Sequence, residues 1–343
     1  MGDKKLSIVI PCYNCSKTIG RLLDSILANN LDKDIYEVIV VNDKSTDNFL
    51  DIVEEYKDKM NIVHCETTRE FHCPGNTRQA GLPYITGEWF TFIDNDDMFE
   101  PDAFKQVLSH IEQNNLQYTL VTNFREYFPE TDAYGRTMKN EGADTWLHGK
   151  YFNRVNTLEK FGCRFKDDMF SHEDLYFNNW NLSHLVEQGK DYDYLDIYTY
   201  KWCHNPESLS RSYFNEKYFY IETYLGDYLT GASYPYFDMF NQTKDKKTKM
   251  FAWNQIMMTL LHGYFYYEAS LWRLGEDDAL IEAYDAMKLF KRKIIKELKV
   301  DVSDIVGYIY SMPERYDKIK VDSRAGSNAF VETQSFRDFV LNL

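Results

Sequence analysis

The stretch GEWFTFIDNDD, residues 87–97, decides the fold. From Trp89 to Ile93 the chain is apolar except at Thr91, and it stops abruptly on Asp94-Asn95-Asp96-Asp97. A short run with no polar alternation suits a strand covered on both faces, as in a parallel sheet. Upstream, residues 6–10, 38–41 and 61–65 repeat the pattern, the first ended by Pro11. Helical segments separate these runs. One starts at Ser16 as N-cap, with Ile19, Leu22, Leu23, Ile26 and Leu27 on one face. Others span 48–56 and 76–82, the last stopped by Pro83. Downstream, Pro101 suits the first turn of a helix reaching residue 114, and 118–123 is a fifth strand. Strands alternating with helices make an α/β fold with a mostly parallel sheet.

Ligands of such sheets gather beyond the carboxyl ends of the strands. Tyr13-Asn14 follow the first strand, Asn42-Asp43 the second and Asp94 to Asp97 the fourth. Three polar clusters are thus expected on one edge of the sheet. From residue 126 to 205 the pattern is mixed, with a helix after His172. Beyond Arg211 it is largely helical and rich in Tyr and Phe, so a boundary is placed near Ser212.

Composition narrows the classes. At 343 residues the chain suits two domains, and its 44% hydrophobic content is enough for a sizeable core. A net charge of −15 argues against a broad nucleic-acid-binding face. Six scattered cysteines do not make a disulfide framework, and the Cys12-x-x-Cys15 pair has no second pair to complete a zinc site. The N-terminus lacks a signal peptide's pattern, and the apolar stretch 250–274 is interrupted by Asn254, Gln255, His262, Glu268 and Arg273. A cytoplasmic protein is expected, with peripheral contact to a membrane surface left open. GxGxxG, the P-loop and GxSxG are absent, and His172-Glu173 is not followed by the second histidine of a zincin.

At each polar cluster two readings stand. Asp94 and Asp96, one residue apart on a turn, can hold Mn²⁺ or Mg²⁺, which take one or two carboxylates and complete their shell with water and phosphate oxygens. They can equally be an acidic turn before a helix. Asp43 can accept a hydrogen bond from a base imide or belong to a turn with Ser45 and Asp47. Tyr13 can stack on a base or simply pack. Arg78 can contact a diphosphate or be a solvated charge. Ser171 and Asp174 match a capping box, while Asp174 can also be a general base. His204 can be a metal ligand or an ordinary loop histidine.

Six segments, in order, resemble the inverting family 2 glycosyltransferases of the GT-A fold. LSIVIPCYNCSKTIGRLLDSIL resembles the first strand, Pro-x-Tyr-Asn turn and first helix, and YEVIVVNDKSTD the second strand with its Asp-x-Ser-x-Asp turn. GNTRQAGL stands where Ala-Arg-Asn-x-Gly is usual, with Gln79 in place of Asn. GEWFTFIDNDD resembles the strand with the metal-binding Asp-x-Asp. HGKYFNRVNTLEKFGCRF with HEDLYF resembles the acceptor-side segment and Glu-Asp motif, and HNPESLSRS the loop closing on the diphosphate. The resemblance spans about residues 5–212.

It implies a GT-A, Rossmann-like mixed sheet with helices on both faces in a catalytic domain, 1–212, followed by a mainly helical domain, 213–343. It implies that Pro11, Tyr13, Asn14 and Asp43 hold the nucleoside and that Arg78 steadies the nucleotide. Asp94 and Asn95 would face the donor, and Asp96, with Asp94 and His204, the metal. Asp174 would be the general base beside Glu173, and Ser208, Ser210 and Arg211 would close over the diphosphate. The implied partners are a nucleotide-diphosphate sugar, with UDP favoured, and a glycan, polymer or other hydroxyl acceptor. A sugar-nucleotide pyrophosphorylase fits less well, because Pro-Cys-Tyr-Asn-Cys replaces its Gly-rich loop. A non-catalytic scaffold on a degenerate fold is the third reading. In residues 213–343, lysines at 244, 246, 247, 249, 288, 291, 296 and 299, with Arg292, make either a solvated face or a contact for an anionic acceptor, with nucleic acid the least favoured. Clustered tyrosines there suit a sugar platform or a homo-oligomer interface.

Overall fold

The computed structural model describes residues 4–68, 73–140, 146–167, 169, 171–205, 221–274, 277–311, 318–320 and 330–343. The chain divides into two units, Met1–Leu209 and Ser210–Leu343.

In the first unit the described residues form one sheet from β1 (Leu6–Cys12), β2 (Tyr36–Asn42), β3 (Ile62–Glu66), β4 (Trp89–Phe92), β5 (Met98–Phe99), β6 (Thr119–Phe128), β7 (Ala133–Met138), β8 (Lys150–Asn153) and β9 (Asp193–Cys203). The order is β3-β2-β1-β4-β8-β6-β9-β5, with β7 paired to β6. The first four strands are parallel. β8 runs antiparallel to both β4 and β6, and β9 is parallel to β6. The sheet is therefore mixed: the apolar runs announce the parallel half and the start of β6, and β7, β8 and β9 come from the segment whose pattern is mixed.

Alternation along the strands builds two cores, because successive side chains point to opposite faces. Ile8, Ile10, Val38 and Val40 face α1 (Ile19–Leu27), α2 (Phe49–Glu54) and α4 (Ala103–Asn114). Val9, Ile39, Val41, Phe90 and Phe92 face the other way, toward α3 (Pro74–Gly81) and the Phe165–Phe177 pair at α5 (Glu173–Glu187).

Three helix starts differ from expectation. α1 begins at Ile19 with Thr18 at the N-cap position, and Ser16 instead donates its N–H to Asp47 at 2.7 Å. Pro101 lies in a turn before α4, whose Phe104 N–H is satisfied by Asn29 Oδ1 from a distant segment, at 2.9 Å. α5 begins at Glu173 behind left-handed His172 and has no side-chain capping bond, so Ser171 and Asp174 do not form a capping box.

The second unit is mainly helical. Helix Ile221–Gln242 packs on Lys246–Leu274 and on Asp277–Leu298. The expected basic face splits on inspection: Lys291 is buried and donates to the Val340 carbonyl at 2.6 Å, while Arg292, Lys296 and Lys299 are exposed. No helix among the described residues is long and apolar enough to cross a membrane.

Candidate active site

The parallel strands stop in register, with Cys12 opposite Asn42 and Val9 opposite Phe92, so the turns that follow meet on one edge. The turns after β1 and β2 are sewn together by short polar bonds. Asn14, at φ +47, accepts from the Thr46 N–H at 2.8 Å, and its own N–H donates to Ser45 Oγ at 3.0 Å. Asn and Asp tolerate the left-handed conformation better than other non-glycine residues. The Asp43 N–H donates to the Cys12 carbonyl at 2.8 Å, and Asp43 is buried. Pro11 is buried in β1, and its carbonyl accepts from Asn95 Nδ2 at 2.9 Å, linking β1 to the acidic turn. Tyr13 is the large apolar side chain of this group that stands open, at 51% exposure.

The acidic turn is built differently. Arg78 on α3 is buried and bridges two carboxylates, Asp94 after β4 and Glu173 at the start of α5. It is not a solvated charge. The close approach of α3 and α5 requires a glycine: a Cβ on Gly75 would lie 2.9 Å from the Glu173 Cβ. Burial opposes the ionised form of each partner, but the paired charges override it for Arg78 and Asp94. The guanidinium is held charged, and the Asp94 carboxyl sits below its usual range. Glu173 is raised by burial, with Arg78 only partly offsetting it.

Asp174 is half-buried beside this pair, and its Oδ1 accepts from the Leu175 N–H at 2.7 Å. Burial, then the neighbouring Glu173 charge, pushes its pKa up to about 7, with Arg78 opposing. A carboxyl poised there can take a proton near neutral pH.

Asp96 and Asp97 diverge in role. Asp97 is buried, and both its oxygens are engaged, one by the Tyr200 hydroxyl and one by the Cys203 N–H at 2.7 Å. Asp96 is half-buried and accepts from Asn205 Nδ2 at 2.9 Å, while Arg21 donates to its backbone carbonyl at 2.7 Å. Burial and neighbouring carboxylates raise the pKa of both side chains. Crowded carboxylates of this kind are what a divalent cation neutralises.

The described residues whose ligand atoms converge within 4.8 Å are Asp94, Asp97 and His148. His204 is exposed; its ring stacks on Phe128 at 5.1 Å and its N–H donates to the Tyr127 carbonyl. The neighbouring Asn205, not His204, bonds Asp96. Ser208, Ser210 and Arg211 lie outside the described residues. Arg21, His148 and Asn205 lie within the segments quoted above but were not singled out there, and Tyr200 lies in none of them. Only Asp97 carried a signal, as the last of the four residues Asp94 to Asp97.

Comparison with known proteins follows this geometry. Residues 7–172 match the sequence model of glycosyl transferase family 2. The chain is 27% identical over 234 residues to the poly(ribitol-phosphate) beta-N-acetylglucosaminyltransferase TarS of Staphylococcus aureus, covering 63% of this chain and 39% of that protein. It is 38% identical over 117 residues to a poly(ribitol-phosphate) beta-glucosyltransferase of Bacillus spizizenii, covering 34% of this chain and 18% of that protein. The chain thus spans well under half the length of these relatives. Among solved structures, S. aureus TarS 1-349 in complex with UDP-GlcNAc superposes with a TM-score of 0.66 at 18% identity, covering 96% of this chain and 99% of that one. A mannosyltransferase from Pyrobaculum calidifontis in complex with GDP-Man and Mn²⁺ gives 0.50 at 13% identity, covering 99% and 85%. These likenesses show the fold, which is of GT-A type.

Proposed function

Because the chain belongs to glycosyl transferase family 2 through residues 7–172, we propose that it moves a sugar from a nucleotide diphosphate to an acceptor hydroxyl by direct displacement, with inversion. The observation that carries the reading is the buried Arg78 bridge. It ties the strand-end acid Asp94 to Glu173, and so brings Asp174, with its pKa near 7, to the same edge as the nucleoside turns.

Exposed Tyr13 offers a face for a base to stack on, and buried Asp43 an acceptor for an imide N–H. UDP is the favoured carrier, in keeping with the UDP-GlcNAc in the TarS crystal. Asp174 removes the proton from the attacking hydroxyl as it approaches the anomeric carbon. Glu173, held by Arg78, fixes the start of α5 and contributes to the raised pKa of Asp174. The half-buried Asp96, with Asp94, would hold Mn²⁺ or Mg²⁺. When bound, that ion supplies charge neutralisation for the departing diphosphate. Two relatives are named for poly(ribitol-phosphate), which makes a hydroxyl of a polyol-phosphate polymer the first acceptor to try.

The test is slow hydrolysis of a panel of nucleotide sugars, with Mn²⁺ and with EDTA. Release of one nucleoside diphosphate only with metal, lost in Asp96→Ala, is expected. Equal release with EDTA, or metal-dependent release unchanged by Asp96→Ala, contradicts the metal assignment.

A further inference from the structure

We propose that His148 reads the transferred sugar, hydrogen-bonding one of its hydroxyls from beside Asp94; the proposal rests on the transfer reading above. Much of the local fold is spent on placing this one side chain. His148 precedes Gly149, which adopts φ +70 and lies so close to β6 that a Cβ there would be 2.7 Å from the Thr122 carbonyl oxygen. The Thr122 N–H donates to the Gly149 carbonyl at 2.8 Å. Asn140 Nδ2 donates both to the Thr122 carbonyl, at 2.7 Å, and to the His148 carbonyl, at 2.9 Å. The backbone at His148 is thereby fixed to the sheet.

The ring is fixed as well. Tyr200 packs at 4.5 Å between centroids, Phe124 edge-on at 5.1 Å, Trp146 nearly parallel at 5.6 Å and Trp202 at 6.4 Å. Yet the residue is only half-buried, and a ring nitrogen lies within 4.8 Å of carboxylate oxygens of Asp94 and Asp97. A histidine that merely filled a core would have no need of the acid edge. A partly open polar side chain, held by its neighbours in backbone and ring, is what binding one substrate group in one orientation requires.

Metal ligation is the competing role, and its partners argue against it. Asp97, one of its two carboxylate neighbours, already has both oxygens hydrogen-bonded. Mg²⁺ and Mn²⁺ prefer carboxylate, carbonyl and water oxygen to imidazole. A ring nitrogen of a neutral imidazole donates or accepts according to its tautomer, which suits a sugar hydroxyl that can do either. Half-buried Trp146 and Trp202 complete the wall with flat, largely apolar surface of the kind against which a sugar's C–H face can lie.

The experiment uses His148→Phe, which keeps an aromatic ring in the cluster, and His148→Gln, which restores a hydrogen-bonding end. UDP and UDP-GlcNAc are titrated by calorimetry with and without Mn²⁺, and kcat/KM for donor hydrolysis is measured alongside Tm. The expected result in His148→Phe is a fall of about tenfold or more in kcat/KM and in UDP-GlcNAc affinity, with UDP affinity changed less than twofold. His148→Gln should recover part of the loss. Equal losses for UDP and UDP-GlcNAc, loss confined to the Mn²⁺-dependent part of UDP binding, or no loss at all overturns the proposal. A wild-type protein that binds neither ligand overturns the transfer reading itself, before any variant is made.

Discussion

The turns after β1 and β2 and the acidic turn lie on one edge of the same sheet, yet they are held by different means. The turns after β1 and β2 are joined by hydrogen bonds among exposed or half-buried residues, Asn14 to Thr46 and Ser45 and the Ser16 N–H to Asp47. The acidic turn is held by charges withdrawn from water: Arg78 between Asp94 and Glu173, and Asp97 beneath Tyr200. Bonds of this kind are readily exchanged for bonds to water, in keeping with the proposed base-binding surface. Buried ion pairs gain little net stability over apolar packing, but removing one partner is costly. An arrangement with so little net gain in stability is in keeping with the chemistry proposed for the acidic turn.

The comparison predicts unequal responses to substitution. Arg78→Ala strands the buried Glu173 and the half-buried Asp94 and should lower stability at pH 8 by up to about 3–5 kcal/mol, read from urea unfolding. The difference from wild type should narrow as pH falls: the Asp94 carboxyl, held low by Arg78, contributes stability above its unfolded pKa and loses it as pH drops through the folded value. Arg78→Lys should restore little, because a point charge cannot span both carboxylates as the guanidinium does. A loss below 1 kcal/mol would erase the distinction between the two regions. At the other end of the scale, Tyr13→Ala should leave Tm within a degree or so of wild type. It should weaken UDP binding by about 1–3 kcal/mol, the usual range for a stacked base. Unfolding of Tyr13→Ala, or unchanged UDP affinity, would break the comparison from the other side.

Much of this edge could be read from the sequence because its strands are buried on both faces. β1, β2 and β4 are buried at every residue and apolar except at Ser7, Glu37, Asn42 and Thr91, so their ends, and the polar clusters beyond them, were marked. The other half of the sheet was harder to read for a physical reason. β7 is almost wholly exposed, β8 is four residues long with a buried lysine, and β9 mixes Asp and Lys with its tyrosines. None carries a period that separates strand from loop. That half also delivers His148 and Tyr200, which reach Asp94 and Asp97 only because the sheet curls through β8 and β9. Arg78 was legible as a candidate but not as a bridge, since nothing in GNTRQAG announces a partner ninety-five residues away.

The central claim is that Asp174 is the general base, poised by burial and by the Arg78–Glu173 pair. Its most direct test is the pH dependence of transfer, or of donor hydrolysis, in wild type and Asp174→Asn, with UDP affinity measured in parallel. The wild-type rate should fall about tenfold per pH unit below about pH 7, where Asp174 becomes protonated. Asp174→Asn should lose about 10²- to 10⁴-fold in rate at every pH while binding UDP normally. Its Tm at pH 8 should not fall, because a carboxyl with a raised pKa costs stability as pH climbs from its unfolded value toward 7. A variant that keeps its rate within a few-fold, or a wild-type profile flat between pH 5 and 8, would contradict the assignment.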